Sequence, residues 1–156
     1  MKYYKISSGT GYGEQRITAF DSALLQAGVG NYNLVRLSSI LPLDSKRKRK
    51  IEKPLGALLP IAYAVESTNV PGRQISAAVA IGFPADKDAE HCAVIMEYEG
   101  ECSEEKAVKV VTSMVCEGFK KRGWKLERME IASETAFGPD DGSWVTAFAC
   151  VAEWEE

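Results

Sequence analysis

The chain of 156 residues holds a single histidine, His91, and that scarcity narrows its chemistry. Histidine titrates near neutrality without help and serves most general-base and triad mechanisms. His91 closes the polar stretch Asp86–His91, which reads as a loop, so proton chemistry falls to carboxylates. Cysteine is sparse too. Cys92, Cys102, Cys116 and Cys150 stand apart with no C-x-x-C pair. Zinc sites draw on close ligand pairs, and one histidine cannot complete a Cys₂His₂ set, so no metal is expected and the cysteines read as buried free thiols. No apolar run approaches the length of a membrane span, and Met1-Lys2-Tyr3-Tyr4-Lys5 lacks the apolar core of a secretion signal. No membrane and a cytoplasmic address are expected. A net charge of −3 argues against a nucleic-acid partner, and the one basic run, Lys46–Lys50, reads as a solvated loop.

What is present fits one soluble domain over residues 1–156, with 46% hydrophobic and 26% charged residues. Strands are expected at Lys2–Ser7, Leu34–Ile40, Ala57–Glu66, Ile75–Phe83, Cys92–Glu99, Leu126–Ala136 and Trp144–Trp154, several nearly continuous in apolar residues. Gly9-Thr10-Gly11-Tyr12-Gly13 reads as a flexible turn, since neither a further glycine nor a Gly-Lys-Ser/Thr follows to make a phosphate loop. A helix over Ala19–Ala27 opens on Thr18 with Asp21 three residues on, and Gly28 ends it. A longer helix runs from Ser103 to Arg122, with Ala107, Val111, Met114, Val115 and Phe119 on one stripe. The pattern is α/β (α+β), with mixed or antiparallel sheets and two main helices.

Three places carry chemistry. Ser38-Ser39 sits between a strand-like apolar run and Pro42, below a Gly/Asn-rich loop, whereas Ser7-Ser8 shows that the dipeptide alone means little. Glu97 and Glu99 end an apolar strand on one face, where lost hydration raises a carboxyl pKa; taken alone, both also read as solvated strand-end acids. Asp21 suits a helix first turn without any ligand.

Together these residues resemble the pyruvoyl-dependent arginine decarboxylases. The resemblance rests on Ala19–Leu25, Ala27–Leu34, Arg36–Ile40, Gly56–Pro60, Ile95–Gly100 and Arg122–Trp124, which occur in the family's order and spacing from Thr18 to Trp154. It implies a four-layer αββα sandwich assembled as a homotrimer, with sites between protomers and the pairing of trimers into hexamers left open. It implies self-cleavage between Ser38 and Ser39 into 1–38 (β chain) and 39–156 (α chain), with Asn33 as the donor for processing. Ser39 would become a covalent pyruvoyl cofactor that forms a Schiff base with L-arginine, releasing CO₂ and agmatine in polyamine biosynthesis. Glu97, not Glu99, would be the proton donor, and Asp21, Leu24 and Gly30 would bind substrate. Pyruvoyl-dependent decarboxylation of another amino acid, or an uncut non-catalytic oligomeric binding protein of the same fold, are the other readings. Two features depart from the family pattern: the basic run, which at the site mouth would oppose a cationic substrate, and Tyr32, bulky enough there to narrow the site.

Overall fold

In the computed structural model, which describes residues 2–156, apolar faces sort the chain into layers. Helix α1 (Arg16–Ala27) covers one side of a five-stranded sheet, and α2 (Glu104–Arg122) covers the far side of a four-stranded one. The first sheet has the order β2 (Asn33–Arg36), β5 (Leu58–Thr68), β9 (Trp144–Glu155), β1 (Lys2–Gly13), β4 (Lys46–Arg47). The second runs β3 (Ile40–Leu41), β7 (Ala93–Gly100), β6 (Gln74–Pro84), β8 (Leu126–Phe137). The αββα sandwich expected from the resemblance is therefore present. Alternation along each strand feeds three cores. Tyr4, Ala62, Ile81, Ile95, Ala149 and Val151 fill the space between the sheets, while Leu24, Ile61 and Phe148 pack beneath α1, and Val94, Val111 and Phe119 beneath α2.

Where the sequence suggested a loop at Gly9–Gly13, strand β1 continues unbroken to Gly13, paired with β9 throughout. Glycines two apart on a strand share a face, and here that face lies against α1. A Cβ on Gly11 would stand 2.2 Å from the Ala23 nitrogen and 2.3 Å from the Ala19 oxygen, and one on Gly9 would stand 2.3 Å from the Ala23 oxygen. The glycines seat the helix on the sheet. They do not bend the chain.

Helix α1 starts three residues earlier than expected. Gln15 is its N-cap and Thr18 is the N3 partner of the capping box, so Asp21 lies beyond the first turn. Gly28 takes the left-handed conformation (φ 76°), as expected of a C′ residue. Helix α2 matches its expected span, with the Ser103 hydroxyl accepting from the Lys106 amide at 3.2 Å. All four cysteines are free thiols, but only Cys150 is buried; Cys116 is exposed, on the solvent side of α2, because the buried stripe passes through Val115 and Phe119.

Candidate active site

The apolar run Leu34–Ile40 does not form the single strand its composition suggests. Strand β2 runs parallel to β5, with Arg36 opposite Ile61, and the Leu37 amide donates to the Ile61 carbonyl at 2.9 Å. The chain then leaves the first sheet. Ile40 and Leu41 pair instead with Val94 and Ala93 of β7 in the second sheet, and the Ile95 amide donates to the Ser39 carbonyl at 2.9 Å. Ser38 and Ser39 are thus the crossing between two sheets. Ser39 has φ 80°, the one positive value at a non-glycine among the described residues. Such a conformation costs about 1–3 kcal/mol and persists only when the surroundings impose it, as the two ladders do here.

The crossing places the Ser39 hydroxyl against Glu97 of β7, to which it donates a hydrogen bond. Glu97 follows Ile95 on the face of β7 turned toward the first sheet. Burial pushes its carboxyl above the ordinary carboxylate range, while the Ser39 hydroxyl and then the Arg36 guanidinium pull it back. Glu99, two residues on, is also raised by burial; Arg36 lowers it, and Glu66 and Glu97 raise it further. A carboxylate on a serine hydroxyl, itself in strained backbone, is a base aimed at a nucleophile.

The other residues singled out from sequence lie elsewhere in the chain. Asp21 is exposed on α1, which packs on β1, β9 and β5 at the outer side of the first sheet. Leu24 is buried in the core beneath α1, and Gly30 packs against Leu25. Asn33 begins β2; its amide nitrogen donates to the Gly56 carbonyl at 2.6 Å. At about 3.3 Å per residue, Asn33 stands roughly 13 Å along the strand from Leu37. It does not reach its own Ser38. Three clefts of about 540, 380 and 330 Å³ open on the surface, and none is lined by Ser39 or Glu97.

Both departures from the family pattern are held by contacts within the chain. Lys46 and Arg47 form β4 on the edge of the first sheet opposite β2, four strand spacings or roughly 19 Å away. Arg47 meets Glu130 at 3.7 Å, and Lys48 pairs with Glu52 above the Tyr3 ring. The ring of Tyr32 packs onto the core beneath α1.

Comparison with known proteins settles the kinship. A family profile described as pyruvoyl-dependent arginine decarboxylase (PvlArgDC) matches residues 3–155. The chain belongs to this family. It is 47% identical over 123 residues to the pyruvoyl-dependent arginine decarboxylase of Methanocaldococcus jannaschii, covering 79% of this chain and 73% of that one. With the protein of the same name from Thermococcus kodakarensis it shares 41% over 129 residues, 82% of this chain and 80% of the relative. Among solved structures, a pyruvoyl-dependent histidine decarboxylase at pH 8 superposes with a TM-score of 0.53 at 16% identity. That match covers 70% of this chain and 55% of the other, and it speaks to the fold. In this family member, Arg36 acts on the Glu97 and Glu99 carboxyls and Glu66 on Glu99, without either having been singled out from sequence. An arginine three residues before Ser39 was the available signal.

Proposed function

We propose that the chain is a self-processing, pyruvoyl-dependent decarboxylase that converts L-arginine to agmatine and CO₂. The observation that carries the reading is the Ser39 hydroxyl donating to the half-buried Glu97 carboxylate from left-handed backbone. Glu97 takes the hydroxyl proton as Ser39 Oγ attacks the Ser38 carbonyl carbon. The amide C–N bond breaks, an ester C–O bond forms, and the proton passes to the departing nitrogen. Loss of the Ser39 Cα proton then breaks the Cβ–O bond and frees Ser38 as a carboxylate. The unsaturated residue left at position 39 takes up water and releases ammonia, leaving a ketone. The single domain thereby becomes two chains, 1–38 and 39–156.

The residues present fit such a group, because position 39 is held at its carbonyl by Ile95 and at its side chain by Glu97. A pyruvoyl ketone supplies the electron sink for loss of CO₂ from an amino acid. Glu97 serves this second reaction as the acid that protonates substrate Cα. Its environment changes in the right direction: once position 39 has no hydroxyl, the donor favouring ionised Glu97 is gone, and burial holds the proton more firmly.

Arginine recognition falls to Asp21, with Leu24 and Gly30 beside it, and the processing donor is Asn33. These positions lie on the α1 side of the chain, so they serve the Ser39–Glu97 pair of a neighbouring copy. Exposed apolar residues on α1 and around the crossing, among them Ile17, Leu25, Val35 and Ile40, support an assembly that covers this side. A homotrimer with sites between protomers, with or without pairing into hexamers, meets that need. The cytoplasm is its proposed location, where unpaired cysteines persist.

The deciding experiment is intact mass together with CO₂ release. Two chains ending and beginning at positions 38 and 39, with arginine preferred over lysine and ornithine, are expected. A single uncut chain after prolonged incubation overturns the reading.

A further inference from the structure

Strand β2 pairs with β5 in regular two-residue steps. The Asn33 amide donates to the Ala57 carbonyl and the Leu37 amide to the Ile61 carbonyl, each at 2.9 Å. Parallel ladders are evenly spaced, so the next bond in the series joins the Ser39 amide to the Tyr63 carbonyl. It is not made. The Arg36 guanidinium donates to the Tyr63 carbonyl at 2.9 Å instead, while its carbon lies 4.5 Å from the centre of the Tyr63 ring. Among the described residues the Ser39 amide donates to nothing, and the Ser39 carbonyl is held by the opposite sheet.

We propose that Arg36 is a positioning residue for self-cleavage: it occupies the acceptor that the scissile amide would otherwise take, and so keeps the Ser38–Ser39 peptide out of the first sheet. The inference rests on the self-processing reading above. The competition is between two donors for one carbonyl. If the Ser39 amide won, β2 would extend past Ser38, the extended backbone would replace the positive φ, and the Ser39 hydroxyl would be drawn from Glu97. The cleavage chemistry also needs that nitrogen unencumbered, because it departs with a new proton when the ester forms. Arginine is well shaped for this competition. Its flat fork donates to the carbonyl while its face rests on the aromatic ring, so two contacts hold one long side chain. Its charge adds a second effect, since Glu97 and Glu99 both feel it, with Glu66 as the further acid facing Glu99. The clamp also outlasts the cut. Arg36 lies in fragment 1–38 and Tyr63 in fragment 39–156.

The test combines two readouts on the full chain. In the uncut chain carrying Ser39→Ala, hydrogen exchange at the position-39 amide is fast with Arg36 present and becomes protected in Arg36→Ala, as the strand extends. In the chain with Ser39 intact, Arg36→Ala slows self-cleavage by about 100-fold, the size expected of a small misplacement of reacting atoms. Arg36→Lys, which can still reach the carbonyl, recovers most of the rate, and unfolding temperatures of the uncut forms change little. Wild-type cleavage in Arg36→Ala, or an exchange rate that does not respond to Arg36, overturns the proposal. If the parent chain never cuts, self-processing fails as a reading, and the exchange measurement still decides what Arg36 does to the ladder.

Discussion

Ser39 donates to Glu97 across 58 residues of sequence, from the crossing just before the two-residue strand β3 to the middle of β7. On the proposed reading this contact joins a nucleophile to its base before any cofactor exists, and one carboxyl would serve both reactions. Glu97→Gln keeps the shape but cannot accept the proton. Self-cleavage should slow by about 10²–10⁴, the usual contribution of a positioned base, read as the rate at which intact mass splits into two chains. The two reactions should also respond to pH in opposite senses. If Glu97 is the base, cleavage should fall as pH drops through a midpoint above the ordinary 4.5, and if it is also the acid, decarboxylation should fall as pH rises. Profiles with the same sense for both reactions would separate Glu97 from one of them.

Asp21→Asn tests substrate recognition. A charge-assisted contact is worth about 1.5–3 kcal/mol, so KM for arginine should rise by roughly ten- to a hundredfold while self-cleavage proceeds unchanged. Because Asp21 and Glu97 would act from different copies, assemblies mixed from Asp21→Ala and Glu97→Gln chains should contain some sites with both residues intact. Recovered activity on mixing is the expected outcome; none at all would return both residues to one chain.

Glu153 makes stability depend on pH. It lies on β9 facing the second sheet, its Oε1 is buried without a partner, and burial pushes its carboxyl up to about 7 against the opposing pull of Lys2. The folded state therefore binds a proton that the unfolded chain, at an ordinary 4.5, releases. That contribution is fully present below about 4.5 and is lost as pH rises through about 7. Glu153→Gln should flatten the decline, raising the unfolding temperature at pH 8 relative to the parent and leaving it nearly unchanged at pH 5. An equal shift at both values would point to packing instead.

Gly11→Ala probes the helix seat. The added methyl meets backbone atoms of α1 at 2.2 and 2.3 Å, and backbone cannot rotate aside as a side chain can. A loss of about 3 kcal/mol or more is expected, at the upper end for overpacking, read from denaturant unfolding of the uncut chain. Gly142→Ala, with nothing within 4 Å but a φ of 75°, should lose less.

The elements legible in the sequence were those whose pattern answers only to local burial. The α2 stripe and the long apolar strands β6 and β9 appear at nearly their expected bounds, because each faces the same layer along its whole length. Two segments were misread for opposite reasons. Gly9–Gly13 resembles a turn by composition, yet its glycines answer to a helix packed ten residues later. Leu34–Ile40 resembles one strand because apolar content cannot say which sheet each half joins. The Ser39–Glu97 pair was legible through family resemblance, and the structure adds the contact. Arg36 escaped notice because its role lies in a bond the backbone does not make, visible only once the register with β5 is known.

The proposed cut at Ser38-Ser39 would also set an order of events. Fragment 1–38 contributes β1, α1 and β2, and β1 lies between β9 and β4 of the other fragment, paired with β9 along its full length. A cut there leaves the halves interleaved, but it changes the molecularity of folding. The uncut chain folds as one molecule at any dilution; the cut pair must find each other, and dilution opposes them. Under the proposed cut, folding would come first and maturation second. An enzyme unfolded after its cut should regain activity only in proportion to how often two separate chains meet, which makes the newly synthesised chain the efficient route to its own active site.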